Sequence, residues 1–95
     1  MEKHSGHFSW RSDKEQINIQ KHGVSFDLAA EVFRDPNRKI FTDSAHSGNE
    51  ERYFCIGKVE ERILTVRFTY RDEQIRIFGA GYWRKGKEYY EKEKN

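Results

Sequence analysis

Apolar and polar residues alternate along the second half of the chain in three runs, Arg52–Val59, Arg62–Arg71 and Gln74–Ala80. This period of two is typical of β-strands with one buried face. The connections are only two residues long, Glu60-Glu61 and Asp72-Glu73, which favours antiparallel hairpins. A shorter run, residues 38–42, could add a strand before them. The pattern therefore predicts an antiparallel sheet of three to four strands.

A helical pattern precedes the strands. Ser12 and Glu15 have the spacing of a capping box, and Gly23 can supply the left-handed residue that ends a helix from about residue 13 to residue 22. Ser25 can cap a second helix, which ends before Pro36. The apolar residues of this second helix fall on one face: Leu28, Ala29, Val32 and Phe33. The chain thus begins with two helices.

The hairpin register predicts which side chains share a face. If Asp72-Glu73 is a two-residue turn, Thr69 lies opposite Arg76, and directly opposed residues point to the same side of the sheet. Arg67, Arg71 and Arg76 then converge on one face, whereas Ile75 and Ile77 join the apolar face beneath the helices. A slip of one residue would break this cluster.

The end of the chain predicts a third helix, which begins near Arg84 and contains Gly86, a weak helix former. It could cover the apolar residues that share the arginine face, namely Phe54, Ile56 and Ile63. The expected fold class is α+β: two N-terminal helices, an antiparallel sheet of three to four strands and a C-terminal helix. We expect one domain over residues 1–95, with residues 1–6 as a flexible tail.

Composition narrows the class of protein. The 95 residues are 35% hydrophobic and 36% charged, and the net charge is +2. A single cysteine, Cys55, excludes an internal disulfide and fits a reducing compartment. The first ten residues lack the apolar run of a signal peptide, and no stretch is apolar enough to cross a membrane. We therefore expect a cytoplasmic protein without a membrane partner.

Three segments resemble one known family: KHGVSFDLAAEVFRDP, HSGNEERYFCIG and RILTVRFTYRDEQIRI. They are similar, in order and spacing, to the BrnT toxins of bacterial and archaeal type II toxin–antitoxin pairs, over about residues 8–93. The resemblance implies a RelE-like fold, ribonuclease activity on an RNA substrate and a cognate antitoxin. It also implies that the antitoxin is BrnA-like, of the ribbon-helix-helix type, and that operator DNA is bound only through the antitoxin complex.

RNA cleavage without a metal needs a proton acceptor and cations that stabilise the pentavalent phosphorus. Arg71, Arg76 and Arg84 are the candidate catalytic cations. His22 is a candidate acid or base; the alternative, which is the commoner role for such a histidine, is that it stabilises the end of a helix. Glu51 is a second candidate proton acceptor; the alternative is a surface charge without a catalytic role. We expect no metal and no cofactor.

Other residues could hold the RNA strand. Arg67, Lys85 and Lys87 can pair with phosphates, and Tyr82 can stack on a base. The neighbouring Trp83 is better explained as a core anchor. At the end of the last strand, the family commonly has Ser-Ala-Arg where this chain has Gly79, Ala80 and Gly81, so one family arginine is missing. The alternative function is therefore a nuclease-inactive module that binds the antitoxin and takes part in operon autoregulation.

Overall fold

The structure is a computed structural model that describes residues 1–92. It contains six strands and three helices, in the order β1 (Glu2–Ser5), β2 (Phe8–Arg11), α1 (Ser12–His22), α2 (Phe26–Ala30), β3 (Lys39–Thr42), β4 (Tyr53–Val59), β5 (Arg62–Arg71), β6 (Gln74–Gly81) and α3 (Arg84–Lys92). Short 3₁₀ helices occupy Glu31–Arg34 and Ser44–His46. The strands form one sheet in the order β1-β2-β6-β5-β4-β3.

The predicted hairpins are confirmed. Strands β4, β5 and β6 pair antiparallel, with Thr69 opposite Arg76 and Arg71 opposite Gln74. The turn residues Asp72 and Glu73 have φ of 53° and 63°, and the other turn has the same left-handed form. Two consecutive residues with positive φ give the tight turn whose twist matches that of paired strands. This register was therefore reached without the glycine that such turns favour.

The prediction for the beginning of the chain is wrong in its layout. Residues 2–5, expected in a flexible tail, form β1, which pairs antiparallel with β2. Strand β2 pairs in parallel with β6 through Phe8 and Ser9, opposite Ile75 and Arg76. The sheet is thus mixed and six-stranded, not antiparallel with three to four strands. Strand β1 is exposed at every residue and each of these strands has four residues, so neither produces a clear alternation.

The predicted capping box of α1 is also wrong. Arg11 takes the N-cap position, and the buried Glu15 carboxylate instead accepts hydrogen bonds from Trp10 Nε1 at 3.1 Å and from Phe26 N at 2.9 Å. Glu15 therefore joins the strand before α1 to the start of α2. The other end of α1 is as predicted, because Gly23 has φ 69° and its N–H donates to the Ile19 carbonyl.

Helix α1 lies beside β6 because one buried side chain pairs with the strand. The Asn18 amide donates to the Ala80 carbonyl at 2.9 Å and accepts from the Ala80 N–H at 3.1 Å. It also donates to the Val24 carbonyl at 3.0 Å. Strand β2 pairs with β6 at two positions only, so Asn18 satisfies backbone groups beyond the end of that pairing.

The second helix begins as predicted, since Ser25 Oγ accepts from the Leu28 N–H at 3.1 Å. It continues into the 3₁₀ helix, which ends at Arg34, two residues before Pro36. Helices α1 and α2 and the 3₁₀ helix that follows them cover one face of the sheet and enclose the main core. The largest fully buried side chains of this core are Trp10, Val24, Phe26, Val32, Cys55, Leu64, Val66, Phe68 and Ile77. Burial raises the pKa of the Cys55 thiol to about 12, so this cysteine is an inert core residue.

Helix α3 covers part of the opposite face, as expected. Tyr90 is buried with Ile56 and Ile63, and its hydroxyl donates to Asp35 at 2.6 Å. Gly86 has a structural role that its low helix propensity did not suggest. A Cβ at this position would lie 2.0 Å from Thr65 Oγ1, so only glycine lets α3 approach β5 so closely.

We predict that Gly86→Ala lowers the free energy of unfolding by about 1–3 kcal/mol, because the added methyl pushes α3 from the sheet. Urea denaturation would measure the change. Gly48→Ala is the control, since a Cβ there meets no atom within 4 Å. Adding Thr65→Ala to Gly86→Ala should restore part of the loss. Equal stability of Gly86→Ala and Gly48→Ala would show that this contact does not limit the approach of α3.

Candidate functional site

A cleft opens on the half of the sheet face that α3 leaves uncovered. It has a volume of about 220 Å³ and is here called the basic cleft; it is lined by Arg11, Lys14, Glu50, Arg52, Thr69, Arg71, Arg76, Ile77 and Phe78. Five of these residues are cationic and one is acidic, so the cleft attracts anions. Arg71 and Arg76 line the same cleft, which is the convergence that the hairpin register predicted.

Each of these two arginines is held by a carboxylate. Arg76 bonds both oxygens of Glu2, with Nη2 at 2.7 Å from Oε2, and Arg71 Nη2 lies 2.8 Å from Glu50 Oε1. The hydrogen bond from Arg76 is the main cause that lowers the pKa of Glu2, and the same bond raises the pKa of Arg76. The carboxylates remain accessible, with Glu2 47% and Glu50 35% exposed. A two-oxygen anion thus already occupies the guanidinium fork of Arg76.

A β-bulge shapes the cleft at Phe78. Arg67 pairs with Gly79 and the next residue, Phe68, pairs with Ile77, so Phe78 is the extra residue of β6. The guanidinium carbons of Arg52 and Arg67 lie 4.7 Å and 5.3 Å from the centre of its ring. Within residues 1–92, Arg52 Nε is buried without a hydrogen-bond partner. The bulge therefore gathers two further cations beside Arg71.

The loop before β4 adds a histidine to this region. His46 Nδ1 lies 2.9 Å and 3.1 Å from the two carboxylate oxygens of Asp43. His46 also lines a second cavity of about 460 Å³, here called the loop cavity, with Gly48, Asn49, Glu50, Arg52 and Arg71. Three residues, Glu50, Arg52 and Arg71, line both the loop cavity and the basic cleft. The two spaces are therefore neighbours.

The sequence-predicted acid–base candidates lie outside the basic cleft. His22 is exposed at the end of α1, where its ring packs edge-on against Trp83 with centroids 5.2 Å apart. The Glu51 side chain is exposed, and its backbone carbonyl accepts from the Thr69 hydroxyl. It is the neighbouring Glu50 that enters the cleft and holds an arginine. The structure thus does not bring His22 or Glu51 together with Arg71 and Arg76.

The candidate RNA-binding residues are dispersed. Arg67 borders the basic cleft through Phe78, whereas the ring of Tyr82 packs under the Arg62 guanidinium at 3.5 Å and against the main core. Arg84, Lys85 and Lys87 are exposed on α3. Lys85 borders a separate apolar cavity of about 380 Å³ between α3 and the sheet.

Trp83 lines this cavity too and is half-buried, packed so closely on Gly81 that a Cβ there would lie 2.8 Å from its ring. It therefore supports the start of α3 from outside the main core, so the predicted core position is not what the structure has. An arginine at Gly81, which the resemblance implies for this position, could not be placed there without displacing this ring.

Sequence reasoning missed Arg11, Lys14, Arg52, Phe78 and His46. The motif HSGNEER contains two of them, but a loop pattern does not reveal which side chains turn inward. Arg11 and Lys14 reach the cleft because α1 begins beside β6, which follows from the unpredicted pairing of β2 with β6. The bulge at Phe78 does have a signal that could have been used, because Gly79 follows it and a glycine within a strand often marks a bulge.

Two further features concern ligands and membranes. Among residues 1–92, His, Cys, Asp and Glu side chains form no group of three or more that could hold a metal ion. No helix of the described chain has the length and apolar character needed to cross a membrane.

The comparisons with known proteins point to one family. Residues 10–87 match a family model described as "Ribonuclease toxin, BrnT, of type II toxin-antitoxin system". This match covers both the basic cleft and the loop that carries His46. No curated protein matches the chain.

We predict that Glu2→Gln strengthens binding of single-stranded RNA by roughly threefold or more at low salt, because it removes the negative charge that occupies Arg76. Fluorescence anisotropy with a mixed-sequence 2′-O-methyl RNA, which cannot be cleaved through its 2′ oxygen, would measure the affinity. The control is Glu60→Gln in the β4–β5 turn, which removes the same charge away from the cleft. Equal effects of the two variants would show that Glu2 does not compete for the cleft.

Proposed function

The chain belongs to the BrnT family of ribonuclease toxins of type II toxin–antitoxin systems, and we propose that it cleaves RNA in the basic cleft without a metal ion. The observation that carries this proposal is the convergence of Arg52, Arg71 and Arg76 on one cleft. A type II toxin has a cognate antitoxin, and we propose that this partner inhibits the chain by covering the same cleft.

The chemistry of RNA fits such a site. The ribose 2′ oxygen can attack the adjacent phosphorus, so the protein must mainly orient the phosphate and stabilise the negative charge that develops on it. Guanidinium groups bind phosphate through two parallel hydrogen bonds. The Glu2 carboxylate makes such a two-oxygen contact with Arg76, and a phosphate could replace it there.

The surrounding residues suit a single-stranded substrate. The Phe78 ring lines the cleft, next to the guanidinium groups of Arg52 and Arg67. RNA bases stack on such aromatic rings, while cations pair with the phosphates of the RNA backbone. Arg84, Lys85 and Lys87 lie on α3, outside the cleft. These three cations would attract the RNA strand to the surface near the cleft. Tyr82 packs against the main core and would stabilise the sheet instead of binding a base.

The partner follows from the same charges. We propose a BrnA-like ribbon-helix-helix antitoxin that places an acidic segment over Arg71 and Arg76, so that it competes with RNA for the same cations. Operator DNA would then be bound through the antitoxin and not by this chain. Because RNA and an antitoxin would meet the chain inside the cell, we propose that it acts in the cytoplasm.

The alternative is a nuclease-inactive module that binds the antitoxin and acts only in operon autoregulation. One observation favours it: Arg71 and Arg76 already pair with carboxylates, which are the groups that an acidic protein partner presents. Cleavage of RNA by the isolated chain distinguishes the two functions.

We predict that the purified chain cleaves total bacterial RNA in the presence of a chelator, and that Arg76→Ala lowers the rate by about 10²-fold or more through loss of charge stabilisation. Arg71→Ala should also slow cleavage. The matched control is Arg34→Ala, whose side chain is 83% exposed on the 3₁₀ helix. Intact RNA after incubation with the wild-type chain, together with normal growth on its expression, would favour the binding module.

A further inference from the structure

The loop between β3 and β4 is held closed by hydrogen bonds between its two ends. The Asp43 N–H donates to the Arg52 carbonyl at 2.7 Å. Ser47 Oγ donates to the Asp43 carbonyl at 2.9 Å and accepts from the Arg52 N–H at 2.9 Å. These bonds fix the backbone on both sides of His46, so this loop can hold a side chain in a defined position.

Asp43 orients the His46 ring. The Asp43 side chain is 6% exposed, whereas that of His46 is 59% exposed, so a buried carboxylate holds one edge of an accessible imidazole. A carboxylate only accepts hydrogen bonds, so Nδ1 carries the proton of the neutral ring. Nε2 is then left with a free lone pair, which is the arrangement of a histidine that acts as a base.

His46 lies beside the groups that bind phosphate. It lines the loop cavity together with Arg52 and Arg71, and both arginines also line the basic cleft. A phosphate held by Arg71 therefore lies next to the cavity that His46 enters. The other charged groups that line this cavity are Glu50, Arg52 and Arg71. The Asp43 carboxylate contacts the Nδ1 edge of the ring.

We propose that His46 is the general base of RNA cleavage and that Asp43 is its positioning residue, an inference that rests on the proposed function. Nε2 takes the proton of the ribose 2′-hydroxyl, and the 2′ oxygen forms a bond to phosphorus. The bond between phosphorus and the 5′ oxygen breaks, and the leaving oxygen takes a proton from a water molecule, whose hydroxide then takes the proton back from Nε2. The products are a 2′,3′-cyclic phosphate and a 5′-hydroxyl end.

Glu50 and His22 serve this role less well. The Glu50 carboxylate lines the same cavity, but it is bonded to Arg71 at 2.8 Å and so is occupied by a cation. His22 lies at the other end of α1, against Trp83. Of these three groups, His46 alone combines access to the cavity with a carboxylate that fixes its tautomer.

The test compares His46→Ala and Asp43→Asn with the wild-type chain on total bacterial RNA in chelator. A general base contributes about 10²- to 10⁴-fold, so His46→Ala should slow cleavage by that amount. Asp43→Asn should lower the rate by about tenfold or more, with its affinity for the 2′-O-methyl RNA within about twofold of the wild type, because the carboxylate acts only through the His46 ring.

Binding and folding are measured on the same variants. His46→Ala should bind the 2′-O-methyl RNA within about twofold of the wild type. It should remain folded but melt at a somewhat lower temperature, because the buried Asp43 carboxylate loses its partner. His46→Gln, which retains a polar side chain, should also be slow. His7→Ala, at an exposed histidine outside both cavities, is the matched control and should cleave at the wild-type rate.

The outcomes separate the two proposals. Slow cleavage by His46→Ala with normal binding and cyclic phosphate ends on the wild-type products supports the inference. A wild-type rate in His46→Ala, or loss of activity in His22→Ala instead, overturns the role of His46 and leaves the proposed function standing. If the wild-type chain cleaves no RNA, the proposed function itself fails, and the inference fails with it.

Discussion

The register of the β5–β6 hairpin is the constraint on which the rest of the structure depends. The turn at Asp72 and Glu73 holds two non-glycine residues at positive φ, a conformation that costs roughly 1–2 kcal/mol for each L-residue. The paired strands on either side offset this cost. Because the register is fixed, Ile77 lies in the core and Arg76 lies in the basic cleft. A slip of one residue would exchange the faces of the two side chains and remove both features.

Much of the sheet could be predicted from sequence because its strands are long and carry a clear alternation. The hairpin register, the cover provided by α3 and the Gly23 cap all follow from local patterns. The short strands β1 and β2 could not be found, since β2 pairs with the distant β6, β1 pairs only with β2, and the Ile75 N–H of β6 donates to the His7 carbonyl between them. Glu15 was misassigned for the same reason: its partners, Trp10 and Phe26, come together only in the folded chain.

The candidate site shows the same division. Strand periodicity predicted that Arg67, Arg71 and Arg76 share a face, and they do. Arg52 and Phe78 were missed because a bulge and a loop end direct them into the cleft. His46 was missed because its hydrogen bond to Asp43 forms only when the loop is closed. His22 was chosen because it lies at a helix end that the sequence predicts clearly. Short motifs thus predicted the elements that carry the cleft better than the side chains that line it.

The most direct test of the account is a crystal structure of the chain with an uncleavable 2′-O-methyl RNA. We expect a phosphate within about 3 Å of the Arg76 guanidinium, in the place of the Glu2 carboxylate, and a second contact from Arg71 or Arg52. RNA bound on another surface, with the pair of Arg76 and Glu2 intact, would contradict the claim that the hairpin register builds the RNA site.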